Sequence, residues 1–265
     1  MKFAVIGKDV SKSSSPEMHS FIAGRLGAEI IYDKISVPEN EFCNRVNGLF
    51  KEYDGLNFTI PFKLTVIPYL KEIAGDAKAF GAVNTVITDS LIGYNTDGLG
   101  FELMLKNNGV DACGKKVLII GAGGAGRSVA KKLLDGGAEV YIYDRTLSRA
   151  ESVAAEFIGV NAVSKIDLTP YYAVINASGV GMHDTVGISP VGAELLASCE
   201  VAVDLIYEPE TSEFLKIAKG LGKKTVNGQA MLFYQAYYAE CIYLDLQPNA
   251  EVAKALFEEY IGGNR

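Results

Sequence analysis

The chain has 265 residues, 49% hydrophobic and 22% charged, a balance that suits a core-forming globular protein and excludes a disordered or fibrous one. Its 32 acidic against 25 basic residues leave a formal charge of -7, so a nucleic-acid partner, which needs a basic face for its phosphates, is not expected. No stretch approaches the length of a membrane span and the apolar part of MKFAVIG is too short for a signal core, so no membrane association and a cytoplasmic location are expected. Cys43, Cys113, Cys199 and Cys241 lack a CxxC spacing, which predicts buried, free thiols and neither a disulfide framework nor a metal centre.

In chain order, strand-like runs at Phe3 to Ile6, Ile30 to Ile35, Leu56 to Ile60 and Val83 to Ile87 alternate with helical stretches after Pro16, Pro38 and Pro61. Proline fits a first helical turn because its missing N–H would be unpaired there and its φ is already helical. Phe101 to Asn108 reads as a connecting helix. The most informative segment follows, KKVLIIGAGGAGRSVAKKLLDGGAEVYIYDRT from Lys115 to Thr146. Val117 to Ile120 read as a buried strand, Gly121, Gly123 and Gly126 shape the turn, and Arg127 and Ser128 continue into the helix. The first glycine permits the turn, the second lets backbone approach a pyrophosphate, and the third lets helix and strand pack closely. The helix N-terminus supplies N–H donors and partial positive charge to phosphates. A second strand, Glu139 to Tyr143, ends on Asp144 at the spacing of a ribose-reading acid, so a dinucleotide cofactor is expected.

A helix at Arg149 to Phe157, runs at Ala173 to Asn176 and Val201 to Ile206, a helix at Glu213 to Gly220 and a run at Lys224 to Val226 complete the pattern of a doubly wound parallel sheet. Beyond Gly228, Met231 to Leu244 and Asn249 to Tyr260 are helical patterns with no strand between them, and a return to the first domain is expected. The predicted fold class is α/β with two domains, an N-terminal α/β unit and a Rossmann-like doubly wound parallel-sheet dinucleotide domain.

Hydride chemistry at a carbonyl needs a group that gives or takes the hydroxyl proton. The two histidines, His19 and His183, have no partner spacing and read as structural or surface residues. No tyrosine has lysine four positions on, and no zinc-dehydrogenase cysteine pattern is present. A lysine or a carboxylate must then serve. Asn57-Phe58-Thr59-Ile60-Pro61-Phe62-Lys63 and Gly93-Tyr94-Asn95-Thr96-Asp97-Gly98 offer both, at strand ends where open α/β sheets place ligands. From spacing alone Lys63 reads more readily as a solvated first-turn charge and Asp97 as a turn residue or N-cap. The stripe Phe233, Tyr234, Tyr237 and Tyr238 reads as helix packing.

Taken together, SKSSSPEMH, LNFTIPFK, GAVNTV, GYNTDGLGF, GAGGAGRS, DRTLSRA, NASGVGM, DLIYEP and NGQAMLFYQA, in this order from Ser11 to Ala236, resemble the shikimate dehydrogenase family. The resemblance implies NADP-dependent interconversion of 3-dehydroshikimate and shikimate on the way to aromatic amino acids. It makes residues 1–98 and 230–265 the substrate-binding domain and 99–229 the dinucleotide-binding domain. It implies Lys63 and Asp97 as the catalytic pair, Ser13, Ser15, Thr59 and Tyr207 on the substrate carboxylate, and Asn84 and Gln235, with the catalytic pair, around the ring hydroxyls. Gly121, Ala122, Gly123, Gly124, Ala125 and Gly126 would cradle the pyrophosphate. Asp144, Arg145, Thr146 and Arg149 would meet the adenosine end, and Leu205 and Gly228 would lie near the nicotinamide. The chain departs from the family pattern at Lys12, Ser20, Gly179 and Asp144, where His, Asn, Ser or Pro, and Asn are usual. Asp144 favours NAD by accepting from a free ribose hydroxyl, whereas Arg145 and Arg149 favour a 2′-phosphate, with Asp144 turning away or pairing with an arginine. NADP is therefore expected, NAD being the alternative. A monomer or homodimer is expected. The alternatives are a quinate/shikimate dehydrogenase and a non-catalytic dinucleotide-responsive module.

Overall fold

The computed structural model describes residues 1–263, which form two compact units, 1–100 with 233–263 and Phe101–Leu232. In the first, the chain runs β1 (Lys2–Gly7), α1 (Ser15–Arg25), β2 (Ile31–Ser36), α2 (Phe42–Glu52), β3 (Gly55–Phe58), α3 (Phe62–Thr65), β4 (Glu72–Ile73), α4 (Asp76–Phe80), β5 (Thr85–Ile87), β6 (Ile92–Tyr94) and the start of α5 (Asp97–Asn107). The sheet order is β2-β1-β3-β5-β6-β4. Alternation along β1 divides its side chains between two cores. Ala4 and Ile6 join Phe42, Val46, Phe58 and Phe62 on one face, while Phe3 and Val5 join Val10 and Tyr32 on the other.

Strands β1, β2 and β3 pair in parallel, as α/β alternation predicts, but β5 pairs antiparallel with both β3 and β6. The link from Ile87 to Ile92 is too short for a crossover and can only make a hairpin. The helix expected after Pro61 is a single turn, α3, and the one expected after Pro38 is preceded by a 3₁₀ turn at Glu39–Glu41.

The second unit holds β7 (Lys116–Ile120), α6 (Gly124–Asp135), β8 (Glu139–Tyr143), α7 (Leu147–Glu156), β9 (Val160–Ala162), β10 (Tyr171–Asn176), α8 (Ala193–Ala197), β11 (Cys199–Asp204), α9 (Glu213–Gly220) and β12 (Lys224–Val226). Its strands are all parallel in the order β12-β11-β10-β7-β8-β9, with the direction of winding reversed between β7 and β10. Ligands of such sheets sit beyond the carboxyl ends of the strands at that reversal.

Helices α10 (Gln229–Tyr243) and α11 (Ala250–Gly263) complete the chain. From Phe233 onward they belong to the first unit, where Phe233 packs against Phe257 and Tyr260, so the aromatic stripe is a helix interface. All four cysteines are free thiols, but the expectation that they are buried fails for Cys43 and Cys113. Phe42 takes the core-facing place on the first turn of α2, leaving its neighbour Cys43 outside, and Cys113 lies in the turn before β7. Among the described residues no helix is long and apolar enough to cross a membrane.

Candidate active site

Burial of Phe62 against Phe42, with ring centroids 4.2 Å apart, anchors the single turn that carries Lys63. Asp97 opens α5, where the partial positive charge of a helix N-terminus favours a carboxylate. Its backbone N–H donates to Asn95 Oδ1 at 3.0 Å, and Asn95 Nδ2 donates in turn to the Ala82 carbonyl. Lys63 Nζ thereby meets Asp97 Oδ2 at 2.5 Å, with side-chain exposures of only 19% and 9%. A lysine so enclosed is no solvated surface charge. Asn84 Nδ2 donates to Asp97 Oδ1 at 3.0 Å, while Asn84 Oδ1 accepts from the Thr96 N–H at 2.9 Å. Gln235 Oε1 reaches within 3.4 Å of Asn84 Nδ2, so Lys63, Asn84, Asp97 and Gln235 form one cluster within the first unit.

Ser13, Ser15 and Thr59 are half-buried. Ser13 Oγ donates to Ser15 Oγ at 2.9 Å and accepts from the Ser15 N–H at 3.2 Å, at the start of α1. Thr59 follows β3, its N–H donating to the Ile6 carbonyl. Tyr207 lies in the second unit and is 37% exposed.

The second unit carries the glycine turn. Gly121 has φ +106°, and a Cβ there would come within 2.7 Å of Ser178 backbone. A Cβ on Gly126 would lie 2.0 Å from the Gly121 carbonyl oxygen, so the close approach assigned to the third glycine is enforced by backbone on both sides. Gly123 and Gly124 differ, since a Cβ on either would meet nothing within 4 Å. The first turn of α6 has no acidic residue and no side-chain cap, a donor set that fits a pyrophosphate.

Asp144 corrects the expectation that it would turn away or pair with an arginine. Its Oδ2 accepts from the Ala122 N–H at 2.9 Å and its Oδ1 from the Thr146 N–H at 2.8 Å, so both oxygens clamp the glycine turn to the start of α7. Two orphan backbone donors within reach are better partners than a mobile guanidinium. Arg145 and Arg149 are exposed. Gly228 packs so closely that a Cβ would lie 2.1 Å from the Leu205 carbonyl oxygen, and its N–H donates to the Ile206 carbonyl.

Several contributors escaped the sequence reading. Thr96 and Asn95 orient Asn84 and Asp97, and the only sign of them was that the whole string GYNTDG is polar. Asp204 is fully buried, accepting from Asn176 Nδ2 and the Ile206 N–H, both at 3.0 Å, and from the Ser212 hydroxyl. It thus ties the loops after β10 and β11 together. Burial raises its pKa from 3.8 to about 6, against the lowering effect of those donors. An acid whose folded pKa lies above its unfolded value binds more protons when folded, so its effect is to reduce stability as pH rises from about 4 to about 6. Asp204→Asn is expected to abolish that portion of the slope, measured as denaturant-unfolding free energy against pH. An unchanged slope would show that Asp204 titrates normally. His19, fully buried, pairs through Nδ1 with Glu240 Oε1 at 2.6 Å and is structural.

A doubly wound sheet with a glycine turn at its reversal, in one chain with a buried lysine–carboxylate pair, defines a dinucleotide-dependent α/β oxidoreductase. Residues 5–86 match the shikimate dehydrogenase substrate binding domain, and 102–191 match the shikimate / quinate 5-dehydrogenase domain. Shikimate dehydrogenase (NADP(+)) of Carboxydothermus hydrogenoformans is 40% identical over 262 residues, 94% of each chain, and one from Thermus thermophilus is 38% identical over 94% of each. The solved structure of a Thermus thermophilus shikimate 5-dehydrogenase in complex with NADP(H) and shikimate superposes with a TM-score of 0.87, at 35% identity, covering 98% of this chain and 99% of that one. The chain belongs to the shikimate dehydrogenase family.

Proposed function

We propose that the chain reversibly reduces 3-dehydroshikimate to shikimate with NADP as cofactor, Lys63 and Asp97 handling the proton. The observation that carries this reading is the 2.5 Å contact of Lys63 Nζ with Asp97 Oδ2, mostly withdrawn from water and braced by Asn84. When bound, the nicotinamide supplies or accepts the hydride. In reduction Lys63 gives its proton to the carbonyl oxygen as that oxygen gains charge, and in oxidation it takes the hydroxyl proton back. Asp97 holds the lysine by a charge-assisted bond and accepts from a ring hydroxyl. Asn84 and Gln235 bond the ring hydroxyls, and Ser13, Ser15, Thr59 and Tyr207 give hydroxyl donors to the carboxylate. Gly121 to Gly126 receive the pyrophosphate, with Leu205 and Gly228 at the nicotinamide.

The substrate-binding domain is 1–98 with 230–265 and the dinucleotide-binding domain 99–229. Exposed thiols at Cys43 and Cys113 suit a reducing cytoplasm, where the enzyme acts as a monomer or homodimer. The test is absorbance of reduced cofactor formed from shikimate and from quinate. Preference for shikimate is expected; preference for quinate moves the chain to the quinate branch, and no turnover with either leaves a binding module.

With both oxygens of Asp144 engaged by backbone N–H groups, its charge is partly met and the exposed Arg145 and Arg149 decide cofactor choice. Replacing both arginines by alanine is expected to reduce the kcat/KM ratio of NADP over NAD by about tenfold or more, the loss of charge-assisted phosphate contacts. Asp144→Asn sharpens the NADP preference only modestly. A wild type with higher kcat/KM for NAD would make Asp144 the deciding group.

A further inference from the structure

The cluster around Asp97 does not end at Asn84. Asn84 Oδ1 also accepts from Thr85 Oγ1 at 2.9 Å, and Thr85 Oγ1 accepts from Asn57 Nδ2 at 3.1 Å. Asn57 Oδ1 accepts from the Tyr32 hydroxyl at 2.7 Å. Thr85 and Asn57 are register partners on β5 and β3, while Tyr32 on β2 reaches across β1. All are buried.

The hydrogen bonds run in one direction. Tyr32 donates to Asn57, Asn57 to Thr85, Thr85 to Asn84 and Asn84 to the Asp97 carboxylate, which Lys63 meets on its other oxygen. Aligned donors polarise one another, and each fixes the rotamer of the next. The far end is fixed as well, because the Tyr32 ring stacks on His19 at 4.3 Å and His19 is held by Glu240. A strand interior that needed only packing would carry apolar side chains at Asn57 and Thr85, whose strand neighbours Leu56, Phe58 and Val86 are apolar and buried.

We propose that Tyr32, Asn57 and Thr85 are positioning residues for the proton-transfer pair, acting through Asn84 to hold the Asp97 carboxylate in the orientation that Lys63 requires. This rests on the proposed reaction. Without the chain Asn84 keeps the Thr96 N–H but loses the Thr85 hydroxyl, so its amide and the Asp97 carboxylate it braces are held less tightly, and turnover falls more than binding.

Thr85→Val keeps the shape and removes the hydroxyl. Oxidation of shikimate by NADP should show kcat about tenfold lower, with KM for NADP within about twofold and a smaller change in KM for shikimate than in kcat. Thr85→Ser, which restores the hydroxyl, should recover most of kcat. Tyr32→Phe, which keeps the stacked ring, should lower kcat about threefold alone and no further in the Thr85→Val background, as members of one chain do not act additively. If Thr85→Val does not fold, the threefold effect of Tyr32→Phe at unchanged KM for NADP carries the test. A folded Thr85→Val or Tyr32→Phe with wild-type kcat, or losses that multiply independently, overturns the proposal alone. A wild type that fails to oxidise shikimate removes the reading beneath it and the proposal with it.

Discussion

Lys63→Ala is expected to lower kcat by about 10²–10⁴-fold while leaving shikimate affinity within a few-fold, the loss typical of a positioned acid-base group. The side chain is 19% exposed and spends its charge on Asp97 Oδ2 at 2.5 Å, so its removal takes away the proton carrier and leaves Asn84, Gln235 and the serine loop in place. Asp97 is then left without its cation, which adds to the loss in turnover. Steady-state kinetics with shikimate and calorimetric binding of shikimate separate the two effects. A raised KM at near wild-type kcat would make Lys63 a binding residue.

The second large effect is expected at Gly126. Alanine there places a Cβ 2.0 Å from the Gly121 carbonyl oxygen, an atom of the backbone that cannot yield without opening the turn. Overpacking of this kind costs about 1–3 kcal/mol, and the displaced turn should also lose its register with the first N–H groups of α6. NADP affinity and melting temperature should fall together. Gly123→Ala offers the contrast, since its Cβ would meet no protein atom within 4 Å, so it should melt as wild type and weaken NADP binding alone. Gly126→Ala with unchanged melting temperature would mean that the turn relaxes freely.

The second unit was the more legible half. Its central strands β7, β10 and β11 are mostly apolar and buried on both faces, and the helix Glu213–Gly220 and strand Lys224–Val226 fall where the sequence pattern puts them. The first unit was less so, because Glu72–Ile73 and Ile92–Tyr94 are too short to show a period, and the antiparallel turn of the sheet comes from a link length, not from a motif. Spacing alone left Lys63 between a surface charge and a catalytic base, for what decides it is burial against Asp97 from a distant helix. The role of Asp144 was hidden for the same reason. In sequence an acid at the end of a second strand reads as a ribose acceptor or an arginine's partner, yet the backbone N–H groups of Ala122 and Thr146 claim both its oxygens. Polar residues within apolar strands, Asn57 and Thr85, were the available sign of the hydrogen-bond chain beneath the site.

The central claim, that the Lys63 amine carries the proton, is tested most directly by adding small alkylamines to Lys63→Ala during oxidation of shikimate by NADP. The expected rate rises with amine concentration and depends on amine basicity, because a free amine can occupy the space left beside Asp97 and take the proton. A rate flat in every amine, in a variant that still binds shikimate, would contradict it and assign Lys63 to placing the substrate.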